Sequence, residues 1–439
     1  MSPRTPESIR LLALGSHGDV QPYVALGLGL RQAGFDVSIG TTAEFRSFVE
    51  GNGLPCIATG GLRAAIERAQ RDSGHTGPKA EMASFLHFLR ATALQLSEGA
   101  DLLIYSFPTF FATPHVAEKL GVPALIAAFQ PGMTQTKAHP LNRAPALPLG
   151  GWYNRLTFTA FEKLTTMALR SATNQWREAL DLPPSRAGAF APLRDGDTPI
   201  LFGFSPTVLA RPDDWSERAH VTGYWFLSER DTYRPSPELE AFLDAGPPPV
   251  SIGFGSTILP DPGATTELVL AAVERAGVRA VLIAGWGGLK AEHVPTNVFQ
   301  IDHVPHDWLF PRVAAAVHHA GAGTTAASLR AGTPTVTVPL HSSWDQSFWG
   351  RRVTALGAGP ESVPFQKMTV DSLAAGIRRA VDDETMRRRA AIVSERIRAE
   401  DGVGNAVREI ERYLAARSRR DVLYVPSRSR RDATSEPAA

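Results

Sequence analysis

A run of small and polar residues, Val317-His318-His319-Ala320-Gly321-Ala322-Gly323-Thr324-Thr325, is followed one strand later by the acid–amide pair Asp345-Gln346. An apolar strand over Ala314–Val317 leads into this small-residue turn, which opens a helix expected over Thr325–Ala331. A helix start carries unpaired backbone N–H groups and the positive end of the helix dipole, so it suits a phosphate. Gly321 and Gly323 let the backbone approach a ligand closely, and His319, Thr324 and Thr325 add donors. After a second strand, Thr335–Pro339, Asp345 and Gln346 can accept from and donate to neighbouring hydroxyls. A phosphate cradle beside a hydroxyl clamp indicates a sugar nucleotide.

A second constellation lies near the start of the chain, in Gly15-Ser16-His17-Gly18-Asp19-Val20-Gln21-Pro22. Asp19 sits in the loop after the first strand, where a carboxylate can act as a general base. With an ordinary pKa of about 3.9 it is a weak one unless burial raises it. The plainer reading is that Asp19 caps a helix beginning near Pro22. His17 orients Asp19, contacts an acceptor, or is simply a polar loop residue.

These groups need elements to carry them. Strand Ile9–Leu14, a glycine-bearing loop, helix Pro22–Ala33 and strand Asp36–Gly40 form a βαβ unit, which implies a parallel sheet. The alternation returns at Asp101–Tyr105, His115–Leu120 and Ala124–Phe129. A new series starts at Val250–Phe254 and continues through Ala280–Ile283, Val298–Ile301 and Thr335–Val338. At 439 residues two cores of about 200 residues each are expected. The boundaries read as a first domain at 1–230, a Pro-rich and acidic linker at 231–249, a second domain at 250–414 and a disordered basic tail at 415–439. Two doubly wound halves leave a cleft between the carboxyl ends of their sheets.

Composition removes several function classes. A net charge of +1 gives no reason to expect nucleic acid. The single cysteine, Cys56, cannot form an internal disulfide and fits a reducing compartment. No signal peptide is visible and no apolar stretch approaches the roughly 20 residues of a membrane span, so a cytoplasmic location is expected. Arginine supplies 39 of the 45 basic residues, which reads as codon bias of a GC-rich genome. The arginine-rich segment Arg417–Arg431 leaves weak contact with an anionic membrane surface open.

Ala314–Val353 resembles the donor-binding signature of GT-B glycosyltransferases that act on small molecules, in their sterol glucosyltransferase-like and bacterial natural-product branch. The segment Gly15–Pro22 independently resembles the acceptor-side motif of that branch. The two motifs stand in the family's order, and the resemblance covers nearly all of residues 8–414. It implies an α/β GT-B architecture of two Rossmann-like domains, the first binding the acceptor and the second the nucleotide sugar. It also implies inverting, metal-independent transfer from a UDP- or dTDP-sugar to a lipophilic hydroxyl of sterol, macrolide, polyketide or flavonoid type, with no cofactor. Asp19 corresponds to the family's catalytic base, and His319 to the histidine on the donor diphosphate. Asp345 and Gln346 match the sugar clamp, and Ser256 a contact near the diphosphate or sugar. Trp286, Val304 and Trp308 lie in loops resembling those that hold the base, although both tryptophans read equally well as packing.

The sequence departs from the family at two places. The stretch between Pro339 and Asp345 is longer than the usual pattern and contains Trp344, which puts plain glucose in doubt. Ala327 stands where plant members hold the ribose with glutamate. On the acceptor side His17, Ser106, Phe107, Phe111, Gln130 and Trp152 fall in loops expected over the cleft, joined by His115. Two other functions remain as alternatives: a GT-B sugar-nucleotide epimerase, and a non-catalytic binding partner of another transferase.

Overall fold

The computed structural model describes residues 7–61, 78–142, 144–185, 190–196, 198–255, 259–285, 288–340 and 345–423. Two wholly parallel sheets organise it. The first contains β1 (Ser8–Leu12), β2 (Asp36–Thr42), β3 (Cys56–Thr59), β4 (Leu102–Tyr105), β5 (Ala124–Ala128), β6 (Ile200–Phe202) and β7 (Ala219–Val221), in the order β3-β2-β1-β4-β5-β6-β7. The second contains β8 (Val250–Gly253), β9 (Ala280–Ile283), β10 (Val298–Ile301), β11 (Ala315–His318) and β12 (Thr335–Thr337), in the order β10-β9-β8-β11-β12. Helices cover both faces, so the strands read as continuous apolar runs, and all four residues of β4 are buried. Both sheets reverse their strand order beside their first strand, between β1 and β4 and between β8 and β11. Ligands of such sheets bind at these switch points, outside the carboxyl ends of the strands. Asp19 follows β1 and Ser106 follows β4; Gly255 follows β8 and His319 follows β11.

The 231–249 segment, expected as a linker, carries a helix of its own, Pro237–Asp244. Ser236 caps it by accepting from the Leu239 N–H, and Leu239, fully buried, packs with Val304 and Trp308 of the second domain. The last helix, Gly402–Leu423, places Ala406, Val407 and Ile410 in the core of the first domain. It passes so close to the first helix that a Cβ at Gly29 would lie 2.4 Å from Val403 Cγ1. The helix also runs into the region expected as a disordered tail from 415, because regular turns continue to Leu423; the rest of the tail lies outside the described residues. Trp349, fully buried, packs edge-on to Phe204 at 5.8 Å, and Arg352 donates to the Val208 carbonyl at 2.6 Å. These contacts join the two domains through apolar surface.

Candidate active site

Asp19 lies in the first turn of a helix that begins at His17, five residues before Pro22. The start moves upstream because Ser16 and Asp19 nucleate it together. Asp19 Oδ2 accepts from the Ser16 N–H at 2.7 Å and from the Ser16 hydroxyl at 2.9 Å. The capping reading and the catalytic one are therefore compatible, since both bonds go to Oδ2. Gly15 is what admits the carboxylate: at φ +139° it has no side chain, and a Cβ there would lie 2.4 Å from Oδ2. Asp19 is half-buried, and burial lifts its carboxyl above the usual range while the Ser16 bonds pull it back. That is the direction a general base needs.

In the second domain the helix after β11 runs Ala322–Ala331, with Gly321 as its cap. Gly323 and Thr324 thus sit in its first turn, where no helix carbonyl reaches their N–H groups. A Cβ on Gly323 would meet nothing within 4 Å, so this end faces open space. The reason for Gly321 differs from close ligand approach. A Cβ there would lie 2.4 Å from His319 Nε2, and one at Gly255 would lie 2.9 Å from His319 Cε1. The His319 ring lies beside both glycines. Its Nδ1 is buried without a partner, and desolvation lowers its pKa to about 4, so it is neutral at pH 7. His318 is a structural residue: its buried ring accepts from the Ala320 N–H at 3.0 Å and holds Ala320 at φ +64°.

Asp345 begins the helix Gln346–Leu356. Burial lifts its carboxyl to about 6 and the Asp19 charge adds to the rise, while backbone N–H groups led by that of Ala322 oppose it. The acid expected to clamp the sugar therefore feels Asp19 of the other domain and accepts from the Ala322 N–H, leaving those of Gly323 and Thr324. Histidines line the same place. His306 is lowered to about 4 by burial and then by repulsion from His303, His319 and His17, the last reaching across from the first domain.

Residues 9–140 match the glycosyltransferase family 28 N-terminal domain, and residues 270–413 match the C-terminal domain of erythromycin biosynthesis protein CIII-like proteins. A sterol 3-beta-glucosyltransferase of Cryptococcus neoformans is 37% identical over 93% of this chain. The chain belongs to the GT-B glycosyltransferases. It spans 27% of that fungal relative's length. Solved structures agree on the fold. The glycosyltransferase of kitacinnamycin superposes with a TM-score of 0.71 at 20% identity, covering 93% of this chain and all of that one. The glycosyltransferase VinC, solved in complex with dTDP, gives 0.60 at 18% identity, with 93% and 100% covered.

Several expected site residues take other places in this glycosyltransferase. Thr325 is wholly buried and its N–H is bonded to the Gly321 carbonyl at 2.9 Å, so it faces the core and not a ligand. Gln346 is buried, and its Oε1 accepts from the Leu340 N–H at 2.9 Å; only its amide nitrogen remains for a sugar. The Val304 side chain is in the core, leaving its backbone to meet a base. Trp308 is packing, against Tyr233 at 5.2 Å and under the Arg312 guanidinium. Ser256, Trp286 and Trp344 lie outside the described residues.

On the acceptor side His17 sits at the cleft, its ring 4.7 Å from that of Phe48. Ser106 is buried with its hydroxyl unpaired, and Phe107 and Phe111 are half-buried. Gln130 Oε1 accepts from Asn142 at 3.1 Å, which makes it a loop brace. Trp152 is 65% exposed. His115 belongs to a buried contact with Arg177, which also pairs with Glu118. Sequence reasoning missed Gly15, Gly255, His303 and His306. Gly15 was visible inside its motif, whereas the histidines flank Val304-Pro305 without a spacing that marks them.

Proposed function

We propose that this chain catalyses inverting transfer of a sugar from a nucleoside diphosphate donor to a hydroxyl of a lipophilic acceptor. The observation that carries it is that Asp19 and Asp345, from different domains, lie within electrostatic reach of each other beside the Gly323 and Thr324 N–H groups that open the Ala322–Ala331 helix. Asp19 takes the acceptor's hydroxyl proton, and the oxygen attacks the anomeric carbon from the face opposite the diphosphate. The bond from that carbon to the diphosphate oxygen breaks, and the departing charge falls on the N–H groups of Gly323 and Thr324 and on the His319 ring. A neutral His319 donates one hydrogen bond to the departing diphosphate oxygen. Asp345 and the Gln346 amide hold sugar hydroxyls. Sterol glucosylation by the fungal relative supports a sterol-like acceptor, and the half-buried single cysteine Cys56 supports a reducing, cytoplasmic setting.

The test incubates the protein with several UDP- and dTDP-sugars and pooled sterols, macrolides and flavonoids, and reads product masses. A hexose or deoxyhexose gain on one acceptor supports transfer and names both substrates. Donor-dependent thermal stabilisation with no product from any pool supports the non-catalytic alternative. Conversion of the donor without acceptor supports the epimerase.

A further inference from the structure

The long helix Gly151–Ala179 flanks the cleft with an outward face unlike that of a solvated helix. Trp152, Leu156, Leu164 and Met167 are 65%, 50%, 66% and 74% exposed. They recur every three, four or eight residues, so they form one stripe about 22 Å long at the usual helical rise. Leu147 and Leu149 in the preceding loop, each 47% exposed, extend it. Between Trp152 and Arg170 every other exposed side chain on this helix is alanine or a cation: Arg155, Lys163 or Arg170. Glu162 turns inward to pair with Arg194 and Arg155 pairs with Asp214 at 3.5 Å, so Lys163 and Arg170 carry the net charge of this stretch. The opposite side of the helix reaches the domain boundary, where the His139 ring packs at a tilt between Phe158, 6.2 Å away, and Phe348 of the second domain, 5.4 Å away.

An exposed apolar patch of this extent marks a contact site. We propose that this face seats the chain on an anionic lipid surface, in the plane of the interface, beside the mouth of the cleft. The charge pattern selects the occupant. Apolar residues at the centre with cations around them match acyl chains beneath anionic headgroups. A second copy packed through the same face would set like charges against each other. The proposal rests on the lipophilic-acceptor reading in one respect: an acceptor dissolved in the bilayer would then enter the cleft without crossing water.

Flotation of the full chain with vesicles tests it. Phosphatidylcholine vesicles are compared with equal mixtures of phosphatidylcholine and phosphatidylglycerol. The protein is expected to float with the mixed vesicles, less so in high salt. The triple variant Leu156→Glu, Leu164→Glu, Met167→Glu should lose about tenfold or more in partitioning, and Lys163→Glu with Arg170→Glu should lose preference for the anionic mixture. Unchanged nucleoside diphosphate affinity checks that both variants fold. Equal flotation of the triple variant overturns the proposal and assigns binding to the arginine-rich tail, which the variant retains. A chain that stays soluble with both vesicle types also overturns it, and self-association abolished by the same substitutions would then give the face to a second copy. Vesicle binding is read without any sugar transfer, so it stands or falls apart from the proposed reaction.

Discussion

At the residue scale, two carboxylates carry the proposed chemistry and their environments push both the same way. Asp19→Asn keeps the Ser16 contacts in shape but cannot take a proton. It should lower kcat by about 100-fold or more and leave nucleoside diphosphate affinity unchanged. A rate near wild type would remove Asp19 from the mechanism. Asp345 carries a second expectation. Its folded pKa of about 6 lies above the ordinary 3.8, so its ionisation opposes folding. The stability linked to its protonation is full below 3.8 and lost as pH rises through 6. Asp345→Asn should therefore be more stable than wild type by roughly 1–2 kcal/mol above pH 7, seen as a higher Tm, while transfer falls. Burial raises the Asp19 carboxyl, so the acid limb of kcat/KM should lie above the ordinary carboxylate range. A limb in the ordinary range would mean that the titrating group is not Asp19.

At the element scale, each motif works because a helix starts at the carboxyl end of a strand. The glycines around these starts make room for side chains as much as for ligands. Gly321→Ala is allowed by its backbone, at φ −63°, yet its methyl would collide with the His319 ring. Donor affinity should weaken by about tenfold or more with little change in Tm, because displacing one catalytic group by an ångström is costly to the site alone. Gly323→Ala has free space around its Cβ and separates the two effects. It should leave the His319 environment intact by NMR while still blocking anion approach. If Gly321→Ala binds nucleoside diphosphate like wild type, His319 is not a donor contact.

At the scale of the whole molecule, the cleft depends on how the domains are held. The final helix returns to the first domain, and Trp349 packs between Phe348 of its own helix and Phe204 of the other domain. Trp349→Ala should cost about 3–5 kcal/mol of stability, read by chemical denaturation. Because the lost contact joins the domains, transfer should fall further than nucleotide binding, which uses one domain. An equal loss of both would make the contact purely structural.

Much of this architecture was legible in the chain itself. Apolar strands, small-residue turns and helical stretches follow from local spacing, so the two parallel sheets could be read directly, whereas both helices start earlier than expected, at His17 and Ala322. Asp19, His319, Gly323, Thr324 and Asp345 announced themselves as polar or small residues placed after a strand. Tertiary structure decided what local pattern does not encode, namely which way a side chain faces and what comes to meet it. It turned Thr325, Gln346 and Val304 into the interior and made Trp308 and His115 packing residues. It made a folded helix, 237–244, within the Pro-rich 231–249 segment, because Leu239 finds a core in the second domain. It also brought His17 of the first domain to His303 and His306 of the second and set Asp19 within electrostatic reach of Asp345. Charge repulsion and desolvation act through space, so the shifts of Asp345 and His306 depend on groups that the first domain brings to the second.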